Sequence, residues 1–352
     1  MTEPEKNRTD SAGAGEPQNP VVIPEALLLA MKLETIFMPY ATRQRGKLFA
    51  DGRNTHARFV HYTSAEAALS IIQGKRVWMR NTTCMSDYRE VQHGFDILNS
   101  FFSDKSESRA FINALDVCVP GAATEAIALF NQWWTDSPSS IRVNTYITSI
   151  SDHDDKEDLH GRLSMWRAFG HVAARVAIVF RVPWYSGGTQ ALSVMFSPVG
   201  YLTKDEVHAE LHAVIENVRA NSAFLRTVDR SVVVRLVLLM LVAGVACLKH
   251  EGFREEREWR AIYLPKLWHS PLMESSTESV GGVPQKVYNF PLDVTVSDAL
   301  HDLDITRIFD RLIIGPSPYP WVMYEAFVTA LLKAGVSDAA NRVFASNIPI
   351  RA

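Results

Sequence analysis

The chain has 352 residues, 47% of them hydrophobic and 21% charged, an ordinary globular balance in a length that suits one large domain with insertions or two small ones. Thirty-six Lys and Arg against 39 Asp and Glu give a formal charge of −3, which argues against broad nucleic-acid binding through phosphate neutralisation while leaving room for a local basic groove. Three scattered cysteines, Cys84, Cys118 and Cys247, are too few for a disulfide scaffold or a cysteine-rich zinc site, so a cytoplasmic protein is expected.

Residues 1–20 are polar and rich in Pro, Gly and Glu. They lack the basic start and apolar core of a leader and predict a disordered tail. A helix is predicted over 24–37 and a polar linker over 41–57. From Arg58 the alternation of RFVHY predicts a strand. Thr63 and Glu66 have capping-box spacing, a helical apolar stripe follows, and Gly74 is the expected stop. RVWMR predicts the next strand.

Helices are then expected over 89–102, 108–117 and 123–134, and a strand over 141–150. An acidic loop at 152–158, a short helix at 163–169 and a buried strand at 175–180 follow. The polar segment 204–221 and the apolar segment 231–248 predict a helical pair inserted between strands. Arg235 interrupts the apolar one, and Leu236–Leu248 is only thirteen residues. A bilayer span needs about 20, so this segment predicts a buried helix and no membrane partner. Strands at 256–264, 286–290, 311–315 and 341–345 and a helix at 321–333 complete an α+β fold. Its central mixed, or split, β-sheet is flanked by helices and carries a helical insertion at about 201–250. The expected division is tail (1–20), N-terminal helix and linker (21–57), and one α+β domain (58–351).

No phosphate loop, GxGxxG or GxSxG is present. His208 and His212 stand four apart, a metal-compatible helical spacing that a solvated polar face also explains. Asp152, His153, Asp154, Asp155, Glu157, Asp158 and His160 are cation-binding types without calcium-loop spacing.

Three segments suit a binding site better. His61, Tyr62, Thr63 and Ser64 lie where a strand feeds a helix N-terminus, a place that attracts anions. Ser149 and Ser151 end a strand ahead of Trp166, suited to stacking, and Arg167, suited to phosphate. In the strand at 256–264, Glu256, Glu258 and Arg260 share one face. Arg260 can orient Glu258, and a carboxylate so held can stabilise a developing oxocarbenium. Helix capping, core packing and an exposed salt bridge are the structural alternatives for these three segments.

The ordered set FVHYTS, ALSIIQGKRVWMRN, SDYRE, SISDHDD, LSMWRAFG, VAIVF, LKHEGFREEREWRAIY, LIIGP and SNIPIR resembles the bacterial domain-of-unknown-function 2971 family from about Arg58 to Arg351. Ser86-Asp87 stands where that family usually has Asn-Asp, with Glu90 following. The layout is also similar to that of ADP-ribosyltransferases, in which NAD lies across a split sheet. That resemblance implies NAD as substrate, with nicotinamide–ribose cleavage and an unknown acceptor. It implies His61 on the adenosine-side ribose with Tyr62 or Thr63 beside it, and Ser149 or Ser151 on the middle strand. Trp166 or Tyr62 would stack the nicotinamide, and Glu258 would stabilise the ribosyl cation. It also suggests a bacterial toxin or defence role.

Two alternatives stand beside this one. A non-catalytic nucleotide-binding module would use His61, Arg167 and Arg260 as anion contacts. A metal-dependent nuclease or hydrolase would use Asp152–Asp158, although no metal is expected. A protein partner or a homo-oligomer stays open.

Overall fold

The computed structural model describes residues 25–48, 56–84, 89–135, 141–168, 174–183, 186–346 and 348. The tail expected at 1–20 and the Ser86-Asp87 pair lie outside them. In chain order the elements begin with α1 (Glu25–Phe37), α2 (Pro39–Leu48), β1 (His56–Ser64), α3 (Ala65–Gly74) and β2 (Arg76–Asn81). Helices α4 (Arg89–Ser103), α5 (Lys105–Asp116), α6 (Ala122–Thr135) and the single turn α7 (Ile141–Asn144) precede β3 (Tyr146–Asp152). Then come α8 (Leu163–Ala168), β4 (Arg175–Pro183), α9 (Gly187–Ala191), β5 (Val194–Pro198), α10 (Lys204–Ala220), α11 (Ser222–Leu225) and α12 (Arg230–Ala246). The last third holds β6 (Glu258–Tyr263), β7 (Ser275–Val280), β8 (Val283–Pro291), α13 (Ile305–Ile308), β9 (Phe309–Ile314), α14 (Pro320–Ala334) and β10 (Val343–Ala345).

The fold is α+β. Among the described residues ten strands form one mixed sheet in the order β10-β9-β4-β1-β3-β2-β8-β7, with β6 pairing both β3 and β5. The sheet forks at β3. Strand β6 occupies one edge of β3 from Tyr146 to Ser151. On the other edge β1 pairs only at Asp152 and Ser151, and β2 only at Ile147 and Tyr146. The middle of that edge, Thr148–Ile150, is therefore unpaired, and β1 and β2 diverge around it with α3 bridging the gap.

Each face is covered by its own apolar cluster. The largest joins α1, α4, α5, α6, α10 and α12 to Ile147 and Ile262 of the sheet. A second packs α3 and α14 on β4 and β9. Helices α10 and α12 thus contribute to the largest core; α12 buries Val233, Val237, Leu241 and Val245 on successive turns. None of the described helices is long and apolar enough to cross a membrane.

Several local expectations shift. Ser64, not Thr63, caps α3 by accepting from the Ala67 amide. Gly74 is the last helical residue, and Lys75 takes the left-handed cap position with φ 45°. Part of the expected linker is helix α2, docked by a bond from the Arg45 guanidinium to the Phe196 carbonyl. The strand expected over 141–150 starts with the helical turn α7, because Asn81 donates to the Val143 carbonyl and pins that turn beside β2.

The acidic loop is bound into the framework. Asp154 and Glu157 form a capping box. Arg58 reaches Asp155, Asp158 and Asp310, each at 2.6 Å, while Arg162 and Arg257 hold Glu157 at 3.0 and 2.5 Å.

Candidate functional site

The unpaired middle of β3 floors a cavity of about 610 Å³, within the range of small-molecule sites. Strand β1 lines it with His61, Tyr62 and Thr63, β3 with Ser149 and Ser151, and β6 with Glu258 and Arg260. Seven of the ten expected site residues therefore meet in one cavity. Ser149 lies opposite Arg260, and Ser151 opposite Glu258, so strand register alone puts these four side chains on one face.

Glu258 is 6% exposed and surrounded by donors. Ser149 Oγ donates to Oε1 at 2.5 Å. Arg260 grips both oxygens, Nε to Oε1 at 2.7 Å and Nη2 to Oε2 at 3.0 Å. Lys249 Nζ lies 3.4 Å from Oε2 and 2.7 Å from Glu256. Burial opposes ionisation of Glu258, but Arg260, Lys249 and Ser149 outweigh it and hold the carboxyl below its usual range. Arg260 also donates to the Ala246 carbonyl at 2.6 Å; a cation at this last carbonyl of α12 complements the helix dipole.

His61 Nδ1 is 2.9 Å from the Ser149 carbonyl. A carbonyl only accepts, so Nδ1 carries the proton and Nε2 keeps a lone pair. Burial lowers the His61 pKa despite that carbonyl bond, so the ring is neutral at neutral pH. Ser149 thus joins the two expected catalytic groups, through its carbonyl to His61 and its hydroxyl to Glu258.

Three residues sit elsewhere. Ser64 is occupied as the α3 cap. Trp166 is 1% exposed, edge-on to Tyr62, with its indole N–H donated to the His160 carbonyl at 2.7 Å. A Cβ on Gly315 would stand 2.9 Å from its ring, so Trp166 is packed core and has no free face for stacking. Arg167, on the outward side of α8, is exposed and does not line the cavity. Tyr62 is likewise buried, and its hydroxyl accepts the Arg162 amide at 2.7 Å.

Lys249, Glu256, Arg76, Trp78 and Arg80 also line the cavity. The last three alternate along β2, a pattern visible in RVWMR. Lys249 precedes an irregular turn and carries no periodic signal.

The acidic loop acts on the site at one remove. Arg162 donates to the carbonyls of Asp152, Glu255 and Glu256, which ties that loop to the turn before Glu258. Between the two glutamates Arg257 adopts φ 43°, a left-handed conformation costly for a residue with a Cβ. Its ion pair with Glu157 holds it in the fold. Among the described residues no group of three or more His, Cys, Asp or Glu is arranged to hold a metal ion. His208 bonds Ser100 at 3.1 Å, and His212 pairs with Glu107 at 3.3 Å.

No curated protein and no solved structure matches this chain significantly. The model of a protein family of unknown function, DUF2971, matches residues 165–261, the stretch from α8 into β6 that carries Lys249, Glu256, Glu258 and Arg260.

Proposed function

We propose that the cavity belongs to an ADP-ribosyltransferase-like enzyme that cleaves the nicotinamide–ribose bond of NAD. The observation that carries this reading is the convergence of His61, Ser149 and Glu258 on one cleft where the sheet divides. When the glycosidic bond breaks, its electron pair leaves with nicotinamide and the sugar becomes an oxocarbenium. An ionised, oriented carboxylate at Glu258 stabilises that charge, and its partners fix it beforehand. The His61 Nε2 lone pair is available to a ribose hydroxyl. Water or an acceptor nucleophile then captures the cation and loses a proton.

The test is nicotinamide release from NAD by the full chain. Release is expected from the wild type and should fall about 10²–10³-fold in Glu258→Gln, the scale of losing one preorganised electrostatic group. That variant leaves Arg260 buried without its counter-charge, at about 3–5 kcal/mol. Ser149→Ala is therefore the second variant. It keeps every charge and should cost about tenfold, one charge-assisted hydrogen bond. Absence of release by the wild type, or undiminished release by folded Glu258→Gln, would overturn the proposal.

One feature favours a second reading. Glu258 is already matched by Arg260 and Lys249, as expected where a carboxylate only positions cations for a bound anion. Thermal stabilisation by NAD without any product is the outcome that this non-catalytic module predicts.

A further inference from the structure

The two sides of the fork differ in charge. On the β6 side the cations Lys249 and Arg260 meet the carboxylates Glu256 and Glu258. On the β2 side the carboxylate among the described lining residues is Glu278 of β7, which accepts from the Ser276 hydroxyl at 2.8 Å and forms no ion pair among the described residues. Arg76, Trp78 and Arg80 lie on one face of β2 and line the cavity, while Val77 and Met79, on the opposite face, pack into apolar clusters. Among the described residues Arg80 is held by neutral acceptors, the Gln285 side chain at 3.2 Å and the Cys84 carbonyl at 2.8 Å. Arg76 is exposed and has no ion-pair partner among the described residues.

Trp78 contrasts with two other tryptophans of the sheet region. Trp166 and Trp259 are each packed against other aromatic rings. Trp78 is half-buried at the cavity wall, with no ring partner and no acceptor for its indole N–H among the described residues. A planar apolar face between two cations of one strand suits a planar ring attached to an anion.

We propose that the β2 wall is a nucleoside-phosphate subsite, with the base stacked on Trp78 and the phosphate met by Arg76. The subsite rests on the nucleotide character of the reading above, but not on its bond cleavage. The same chemistry is offered by the adenylate half of a dinucleotide and by one nucleotide of an acceptor strand. The net charge of −3 restricts the second source to a short single-stranded segment in the cavity.

AMP, adenosine and ribose 5-phosphate are titrated calorimetrically into the full chain. AMP should bind more tightly than either fragment. Trp78→Ala should weaken AMP about tenfold or more, the scale of one lost base stack, and Trp78→Phe should restore most of it. Arg76→Gln should weaken AMP but not adenosine. No AMP binding by the wild type, or equal affinity in wild type and Trp78→Ala, overturns the subsite.

Two further readouts support it and identify the source. A raised KM for NAD in Trp78→Ala assigns the wall to the dinucleotide. An unchanged KM with lost binding of a labelled oligothymidylate assigns it to an acceptor strand. Trp78-dependent AMP binding without any nicotinamide release supports the subsite and removes only the cleavage reading.

Discussion

His61 and His153 are both neutral for the same reason, burial, and that shared cause sets how the fold responds to acid. Burial lowers the pKa of each ring; at His61 the Ser149 carbonyl opposes the shift, and at His153 Asp158 does. In the unfolded chain both would take a proton near pH 6.5. Below that pH the unfolded state binds more protons than the native one, so stability falls as the medium acidifies. Each ring contributes a slope of up to about 1.4 kcal/mol per pH unit until its own folded pKa is reached. Glu258 and Asp310 also have lowered pKa values, so they act with the same sign, starting nearer pH 4. The urea midpoint should be flat above about pH 7 and fall from about pH 6.5, and His61→Gln should flatten part of that first limb. A midpoint unchanged between pH 7.5 and 5.5 would show that neither ring resists protonation.

Much of the candidate cleft is legible in the sequence. His61, Ser149, Ser151, Glu258 and Arg260 interrupt strands that are otherwise rich in β-formers. Alternation within each strand pairs Ser149 with Ser151 and Glu258 with Arg260, whereas the register that brings these four to one face and leaves His61 on the other, reaching the Ser149 carbonyl through the gap, is set by strand pairing. Trp166 and Arg167 were not legible in the same way. One residue of helical rotation on α8 turns the first into the core and the second into solvent, and a six-residue helix has no period long enough to show which.

Elements were readable where apolar periodicity was strong, and their ends were displaced where a single hydrogen bond decides. At α3 the side-chain cap falls to Ser64 instead of Thr63, and the helix runs through Gly74 to Lys75. Strand β7 leaves no mark in the sequence because Ser275–Val280 is an edge strand with polar residues on both faces, so period-two alternation has nothing apolar to show. The Lys75 backbone gives an element-scale prediction. Its φ of 45° crowds a Cβ, while its amide caps α3 and its carbonyl accepts from Leu292. Glycine keeps both hydrogen bonds and removes a left-handed cost of about 1–2 kcal/mol, while returning about 0.5–1 kcal/mol of unfolded-chain entropy. Lys75→Gly should therefore stabilise by about 0.5–1 kcal/mol in denaturant titrations at unchanged m-value. A destabilised variant would mean that the lysine side chain contributes more than its backbone strain costs.

Across the whole molecule the site depends on segments far from it in sequence. The helices α4, α6 and α12 pack on one another and on the β3–β6 face that bears Ser149, Glu258 and Arg260. The end of α12 accepts the Arg260 guanidinium directly. Helix α1 closes the outside of this layer against α10 and α12, burying Leu33, Ile36 and Phe37 to 2% exposure or less. Its sequence predicted a helix, but a thirteen-residue segment ahead of a polar stretch carries no sign of which layer it joins. Phe37→Ala should cost about 3–5 kcal/mol, the range for a large aromatic truncated in a packed core, whereas Leu29→Ala, at a position 41% exposed, should change stability by less than about 0.5 kcal/mol. Chemical denaturation of the two variants side by side measures the difference. A Phe37→Ala protein as stable as Leu29→Ala would show that α1 docks loosely and that the layer behind Glu258 and Arg260 is held without it.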